Sequence, residues 1–180
     1  MESSLSLAFN SLLPLLEGMV FGTIPLTAIS FTIGLVVALI IALMRLSSLR
    51  ALRLFAGTYV SVIRGTPLLL QLFIIFYGLP SLGIVLDPWP SAIFAFSLNV
   101  GGYASESIRS AILSVAAGQW EAAKTVGLGR FQSLRRVILP QAAKVAVPPL
   151  SNTLISLVKD TSLASAVLVT EILRKAQEIA

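Results

Sequence analysis

The sequence contains no cysteine and no histidine, and only 12% of its 180 residues are charged. The two missing residue types exclude disulfides, thiol nucleophiles, imidazole bases and most zinc sites. No GxxxxGKS or GxxxxGKT segment occurs, so the chain lacks a nucleotide-binding phosphate loop. Because soluble domains are usually about one quarter charged, the low charge points away from that class.

Hydrophobic residues make up 56% of the chain, and they fall in long blocks rather than on one helical face. Blocks of about eighteen apolar residues or more can cross a bilayer core of roughly 30 Å. We predict four spans, at about residues 22–44, 59–79, 91–115 and 142–158. Such blocks are too long for barrel strands, so the predicted fold is all-α, a polytopic helical membrane protein forming one domain over residues 1–180.

The basic residues are unevenly distributed along the chain. Three follow the first span, four lie between the third and fourth spans, and one lies at the start of the fourth: Arg45, Arg50, Arg53, Lys124, Arg130, Arg135, Arg136 and Lys144. The loop between the second and third spans contains no Lys or Arg. The positive-inside rule therefore predicts that both basic segments are cytoplasmic and that the N-terminus is outside.

The end of the sequence does not fit four spans alone. Four spans that start outside also end outside, yet Arg174 and Lys175 follow the fourth span. Either these residues belong to a short amphipathic helix on the outer surface, or a further span follows. We expect the second alternative, a fifth span missing at the C-terminus.

A polar segment, GQWEAAKTVGLGRFQSLRRVILP, separates the third and fourth spans at residues 118–140. Apolar residues recur at helical spacing on both sides of a Gly-Leu-Gly bend: Trp120, Ala123 and Val126 before it, and Phe131, Leu134 and Ile138 after it. The pattern predicts two short helices, with Pro140 starting the next span. By itself it fits either a helix lying on anionic lipid or a docking element for a soluble partner.

The same segment resembles the EAA loop of ABC importer permeases. Glu121-Ala122-Ala123 is followed four residues later by Gly127, and after nine more residues by Val137-x-Leu139-Pro140. Val137 stands where the family usually has Ile. The resemblance implies that Glu121 to Pro140 is a cytoplasmic coupling helix region, in which Glu121 meets a basic residue of an ATPase and Gly127 makes the turn. The implied coupling residues are Glu121, Ala122, Ala123, Gly127, Leu139 and Pro140.

Three further segments resemble the polar amino-acid branch of these permeases: IRGTPLLLQLF, GGYASESIRSAILSV and PPLSNTLISLVKDTSLAS. LPSLGIVLDPWP and the last segment with its continuation, SLVKDTSLASAVLVTEILRKAQEI, are most similar to L-cystine permeases. The resemblance implies an importer subunit in the bacterial cytoplasmic (inner) membrane that passes a polar amino acid, L-cystine, into the cytoplasm. It also implies three partners: a separate ABC ATPase dimer carrying ATP and Mg, a periplasmic or lipid-anchored substrate-binding protein, and a second permease chain, the same or a sister. This chain itself would hold no cofactor.

Polar residues inside or beside the spans are candidates for function, since an ionisable residue there costs roughly 2.5–3.5 kcal/mol on insertion scales. We predict that five of them face a central path and hold the charged ends of an amino acid: Asn99, Tyr103, Glu106, Asp160 and Thr161. The alternative is that these groups neutralise partners between packed helices, as Glu106 could with Arg109, three residues later. Arg64 and Gln71 are predicted on one helix face, and Arg64 could extend its charge to the cytoplasm.

Two other function classes stay open at this point. An intramembrane hydrolase would need a nucleophile with a base, and Ser156 with Lys159 is a weak pair of that kind. A channel-forming helical protein would leave the EAA-like spacing without a role. We predict no catalytic residues and no metal site in this chain, and copurification with an ATPase would separate the three classes.

Overall fold

The computed structural model describes residues 12–179, so residues 1–11 and 180 of the predicted domain, including the N-terminus, lie outside the described residues. Helix α1 runs over Leu12–Arg45 and contains a π-helical turn at Gly18–Thr23. It therefore begins ten residues before the apolar block predicted at 22–44. Local apolar content marks the membrane-compatible part of a helix and not its full length.

The second predicted span, 59–79, falls on two helices, α2 (Arg50–Gly65) and α3 (Leu68–Leu82), which meet at 107°. The break lies at Thr66, whose backbone is extended with φ −120° and ψ 143°. Pro67 follows, and proline both lacks an amide hydrogen and disfavours helical geometry in the residue before it. Arg64 and Gln71 thus belong to different helices, and the prediction that they share one helix face is wrong.

Four helices follow: α4 (Pro88–Ser114), α5 (Ala117–Thr125), α6 (Arg130–Val167) and α7 (Ile172–Ile179). The sequence predicted a separate short helix after the Gly-Leu-Gly bend. This prediction is wrong, because α6 continues through Pro140. A π-helical turn at Leu134–Ile138 directly precedes this proline, and the Leu139 N–H donates to the Leu134 carbonyl. The wider turn lets the helix pass a residue that has no amide hydrogen.

By length and composition, α1 is the one helix among residues 12–179 that could cross a membrane unbroken. The number rises to three if each bent pair forms one span. One pair is α2 with α3, and the other is α6 with α7, which meet at 54°.

Helices α1 and α4 pack closely and run in the same direction. A β-carbon added at Gly34 would lie 2.6 Å from the Val100 β-carbon, and one added at Gly101 would lie 2.6 Å from Val37 Cγ1. Residue numbers therefore rise together along the two helices. Contacts this close need residues without a side chain, as in membrane helix pairs generally.

Helix α6 runs antiparallel to α4. Its first half places Ile138, Ala142 and Ala146 in a buried cluster with Ala111 and Ile112, near the end of α4. Leu157, near the end of the α-helical part of α6, packs in a second buried cluster whose α4 members run from Ala92 to Ala104. The start of α6 therefore lies beside the end of α4, where α5 also begins.

The two basic segments share one end of the molecule, here called the basic end and defined by residues 45–53 and 117–136. A cavity of about 700 Å³ there is lined by Leu46, Ser47, Trp120, Arg130 and Phe131, among others. The charge distribution predicted this proximity, since two spans separate the segments.

At the opposite end, the last described residues pack against the start of α1. Glu171 is fully buried, and its carboxylate accepts N–H bonds from Leu173 and Arg174, each of 2.8 Å. The Ile172 N–H donates to Thr23 Oγ1 at 3.4 Å. Arg174 thus lies on the short helix α7, together with Lys175. A helix here fits either alternative, so the choice between them, and with it the fifth span, stays a prediction.

We expect Gly34→Ala to lower the melting temperature of the purified protein by several degrees, because the new methyl group collides with Val100. The helix propensity of alanine, about 1 kcal/mol better than glycine, would by itself act in the opposite direction. Gly57→Ala is the matched control, since a β-carbon at Gly57 in α2 meets no atom within 4 Å. An unchanged melting temperature for Gly34→Ala would show that the two helices can move apart without loss of stability.

Candidate functional site

A polar cavity of about 490 Å³ opens between the α2–α3 break, α4 and α6. We call it the Asp160 cavity, after the one carboxylate among its lining residues. The lining comes from three places in the chain: Thr66, Pro67 and Leu68 at the break, Asn99, Val100 and Tyr103 on α4, and Asn152, Thr153, Ser156, Leu157 and Asp160 on α6. Residues more than ninety positions apart in the sequence meet here around one space.

Three of the five residues predicted for the path line this cavity, namely Asn99, Tyr103 and Asp160. Glu106 lines two neighbouring cavities instead. Thr161 is only 1% exposed, and its hydroxyl donates to the Val158 carbonyl at 2.7 Å. Asp160 is thus brought together with two of its predicted partners, while Thr161 contributes to the helix end.

The other polar residues of α6 that face the cavity were not predicted from the sequence to line the path. Asn152, Ser156 and Asp160 are spaced at i, i+4 and i+8, which places them on one side of a helix. This periodicity was present in the sequence. It was hidden because serine and threonine at other phases, such as Ser151 and Thr153, lie beside it and because Pro148 and Pro149 lie within the same helix.

Gln71 fixes the bend that forms one wall of the cavity. It is 8% exposed, and its amide nitrogen lies 2.8 Å from the Ile63 carbonyl and 3.1 Å from the Thr66 carbonyl. The amide nitrogen also lies 2.9 Å from Thr66 Oγ1, and the amide oxygen accepts a bond of 3.2 Å from Asn99 Nδ2. One side chain therefore donates hydrogen bonds to the carbonyl groups that lose their helical partners at the break. It also orients Asn99 towards the cavity.

An ion-pair cluster lies on the side of the Asp160 cavity nearer the basic end. Arg109 pairs with Glu106 through both Nε and Nη2, as the i, i+3 spacing allowed. Arg45, at the end of α1, adds a second contact of 3.5 Å to the other carboxylate oxygen. Arg64 stands over the Tyr103 ring, 5.4 Å from its centroid. Glu106 therefore takes part in charge neutralisation, which was one of the two alternatives for it.

The EAA-like segment forms an exposed helix and turn at the basic end. Gly127 has φ +79°, a left-handed conformation that favours glycine, and the Leu128 N–H donates to the Ala123 carbonyl to close α5. Glu121 and Ala122 are exposed, Ala123 is buried, Leu139 is half-buried and Pro140 is exposed.

The predicted apolar face of this segment is only partly correct. Trp120, Leu134 and Ile138 pack inward against the end of α4, together with the nearby Ala142 of α6. Val126 and Phe131 do not, and each is 73% exposed. Both side chains lie at or next to the turn between α5 and α6, where they add exposed apolar area to the segment that carries Glu121, and Phe131 also lines the cavity at the basic end.

The chain matches a known family and known proteins over most of its length. The family described as "Binding-protein-dependent transport system inner membrane component" matches residues 30–179. The L-cystine transport system permease protein TcyB of Bacillus subtilis (strain 168) is 61% identical over 170 residues, covering 94% of this chain and 73% of that protein. The probable amino-acid ABC transporter permease protein YckA of the same organism is 44% identical over 157 residues, covering 87% and 70% of the two chains.

A solved structure shares the fold. The crystal structure of an amino acid ABC transporter with histidines contains a chain that is 37% identical, with a TM-score of 0.84. The match covers 92% of this chain and 77% of that one. At this level of identity, both the fold and the sequence place the chain beside amino-acid transporters.

We expect Gln71→Leu to lower the melting temperature and to weaken ligand binding, because the Ile63 and Thr66 carbonyls lose a buried donor. Each unsatisfied buried group costs about 1–3 kcal/mol. Gln177→Leu, at an exposed position of α7, is the control for the loss of an amide. Thermal melting of the purified protein checks the prediction, and a Gln71→Leu variant as stable as the control would mean that the bend is held by other contacts.

Proposed function

Because the chain belongs to the binding-protein-dependent transport system inner membrane components, and is thus the permease subunit of an ABC importer, we propose that it carries L-cystine into the cytoplasm. The observation that supports this substrate is the 61% identity to an L-cystine permease over 94% of the chain. The polar Asp160 cavity supports the wider class, an amino acid with both charged ends intact.

The Asp160 cavity offers matching groups to a zwitterion. A carboxylate is the natural partner of an ammonium group, and amide and hydroxyl groups can donate to a carboxylate. Asp160 forms no ion pair within 4 Å among residues 12–179, although Lys159 is its neighbour in sequence. Asn99, Asn152 and Ser156 supply the donors around it. We assign Asp160 to the substrate ammonium group on this basis.

The exposed segment at the basic end is the proposed contact with a separate ATPase dimer, which would carry ATP and Mg. This chain has no phosphate-binding loop of its own. Glu121 offers a charge that can fix the register of docking, and the exposed Val126 and Phe131 offer apolar area beside it. Because α6 continues from this segment to Asp160, movement of the docked segment would be passed along one helix to the cavity.

The remaining partners follow from the direction of transport. The family consists of inner membrane components, and we propose that the basic end is cytoplasmic and the N-terminus outside, by the positive-inside rule. A periplasmic or lipid-anchored binding protein would then deliver substrate at the end that carries α7. The helices of one chain can hardly enclose a path for an amino acid by themselves, so a second permease chain, the same or a sister, would complete the path.

We expect Glu121→Lys to abolish ATP-dependent uptake, because the reversed charge opposes docking on the ATPase. Glu121→Gln, which keeps the size of the side chain, should retain part of the activity. Uptake in membrane vesicles and copurification of the ATPase are measured together, with the amount of inserted permease as the control. Normal uptake by Glu121→Lys at normal expression would remove this segment from the coupling contact.

We expect Asp160→Asn to reduce uptake at least about tenfold, in line with the loss of one charge-assisted hydrogen bond. The complex should melt at the wild-type temperature, because no cation among residues 12–179 is paired with Asp160. Asp87→Asn, at an exposed position in the loop before α4, is the matched control. A large loss of stability that Lys159→Met restores would instead assign Asp160 to the fold.

A further inference from the structure

Tyr103 stands where three cavities meet. It lines the Asp160 cavity and also two others, of about 490 and 520 Å³, which lie towards the basic end. We call the latter two the arginine cavities, because Arg64 lines both, together with Tyr103 and Glu106. Thr153 is shared between the Asp160 cavity and one arginine cavity. The three spaces are thus neighbours, with a tyrosine ring between them.

The charges around the arginine cavities do not balance. Three guanidinium groups, those of Arg45, Arg64 and Arg109, surround the single carboxylate of Glu106. Arg45 and Arg109 both contact that carboxylate. Arg64 has no carboxylate within 4 Å among residues 12–179, and its guanidinium donates to no protein acceptor there. Its planar group is held over the Tyr103 ring, with its donors free to bind an anion.

We propose that Arg64, held over Tyr103, is a binding site for the carboxylate of the amino acid as it passes from the Asp160 cavity towards the basic end. The inference rests on the proposed function and adds to it the group that receives the second charge of the substrate. A guanidinium can bind a carboxylate through two parallel hydrogen bonds, which a lysine cannot do. The stacked ring restricts the side chain beforehand, so less rotamer freedom is lost on binding.

The assignment explains why Arg64 is left without a partner while its neighbours share one. The Glu106 carboxylate contacts both Arg45 and Arg109 and offsets one of their two positive charges, so Arg64 adds an unpaired positive charge next to Tyr103. L-cystine has an ammonium and a carboxylate at each of its two ends. An elongated zwitterion of this kind can present an ammonium to Asp160 and a carboxylate to Arg64 without requiring the two residues to touch.

The test measures ligand binding to the complete permease–ATPase complex in nanodiscs, without the binding protein, so that only the selectivity of the complex is read. Three ligands are compared: L-cystine, L-cystine bisamide, which lacks both carboxylates, and N,N′-diacetyl-L-cystine, which lacks both ammonium groups. The variants are Arg64→Gln, Asp160→Asn and, as a control, Arg53→Gln, which removes an exposed guanidinium from the same helix.

We expect the wild-type complex and Arg53→Gln to prefer L-cystine over the bisamide by at least about tenfold. Arg64→Gln should reduce this preference to within about twofold while the complex still discriminates against the diacetyl compound. Asp160→Asn should show the opposite pattern. If Arg64 had a purely structural role, Arg64→Gln would lower the affinity for all three ligands together. The ratio of affinities between ligands therefore distinguishes the loss of a binding contact from general damage to the protein.

Retention of the tenfold preference in Arg64→Gln would overturn the proposal, as would equal loss of affinity for all three ligands. A wild-type complex that does not bind L-cystine would refute the substrate assignment alone. The same comparison with L-glutamine and L-glutaminamide then decides the role of Arg64 separately. If neither amino acid binds to the wild-type complex, the Arg64 site is refuted as well.

Discussion

The close contact between α1 and α4 is the constraint on which the remaining helices depend. Gly34 and Gly101 let the two backbones approach until a β-carbon at either position would overlap the opposite valine. The next position on α4, Gly102, receives Ile63 of α2 in the same way, and the Tyr59 hydroxyl donates to the Leu98 carbonyl at 2.6 Å. Helix α4 is thereby held on two sides, by α1 and by α2, and its third side faces the cavities.

The division of α4 into faces follows from helical periodicity. Asn99, Tyr103 and Glu106 recur at intervals of four and three residues, so they share the side that faces the cavities. The opposite wall depends on the break between α2 and α3, where Gln71 replaces the hydrogen bonds that a continuous helix would have made. A buried amide stabilises the break only while all its partners are in place. Packing and site geometry are therefore coupled through a few buried polar contacts.

Much of the molecule could be predicted from the sequence, because several of its features are local. Long apolar blocks predicted the helical class, and the spacing from Glu121 to Pro140 indicated the family that the comparisons confirm. The Gly-Leu-Gly bend was predicted from residue type, and Gly127 takes the left-handed backbone that favours glycine. The spacing of Glu106 and Arg109 allowed their ion pair, which was one of the two alternatives for Glu106. Each of these depends on residues within one turn or one segment.

Tertiary structure alone decided which distant residues share a space. The sequence determined the helical class, the basic segments and the family, whereas the 107° bend, the partners of Gln71 and the position of Arg64 over Tyr103 emerged from packing. The same applies to Thr161, whose hydroxyl donates to the Val158 carbonyl of its own helix instead of facing the predicted path. Spacing along a chain reports which side of a helix a residue occupies. It does not report which other helix that side meets, because that depends on backbone approach distances and bends set by contacts across the whole fold.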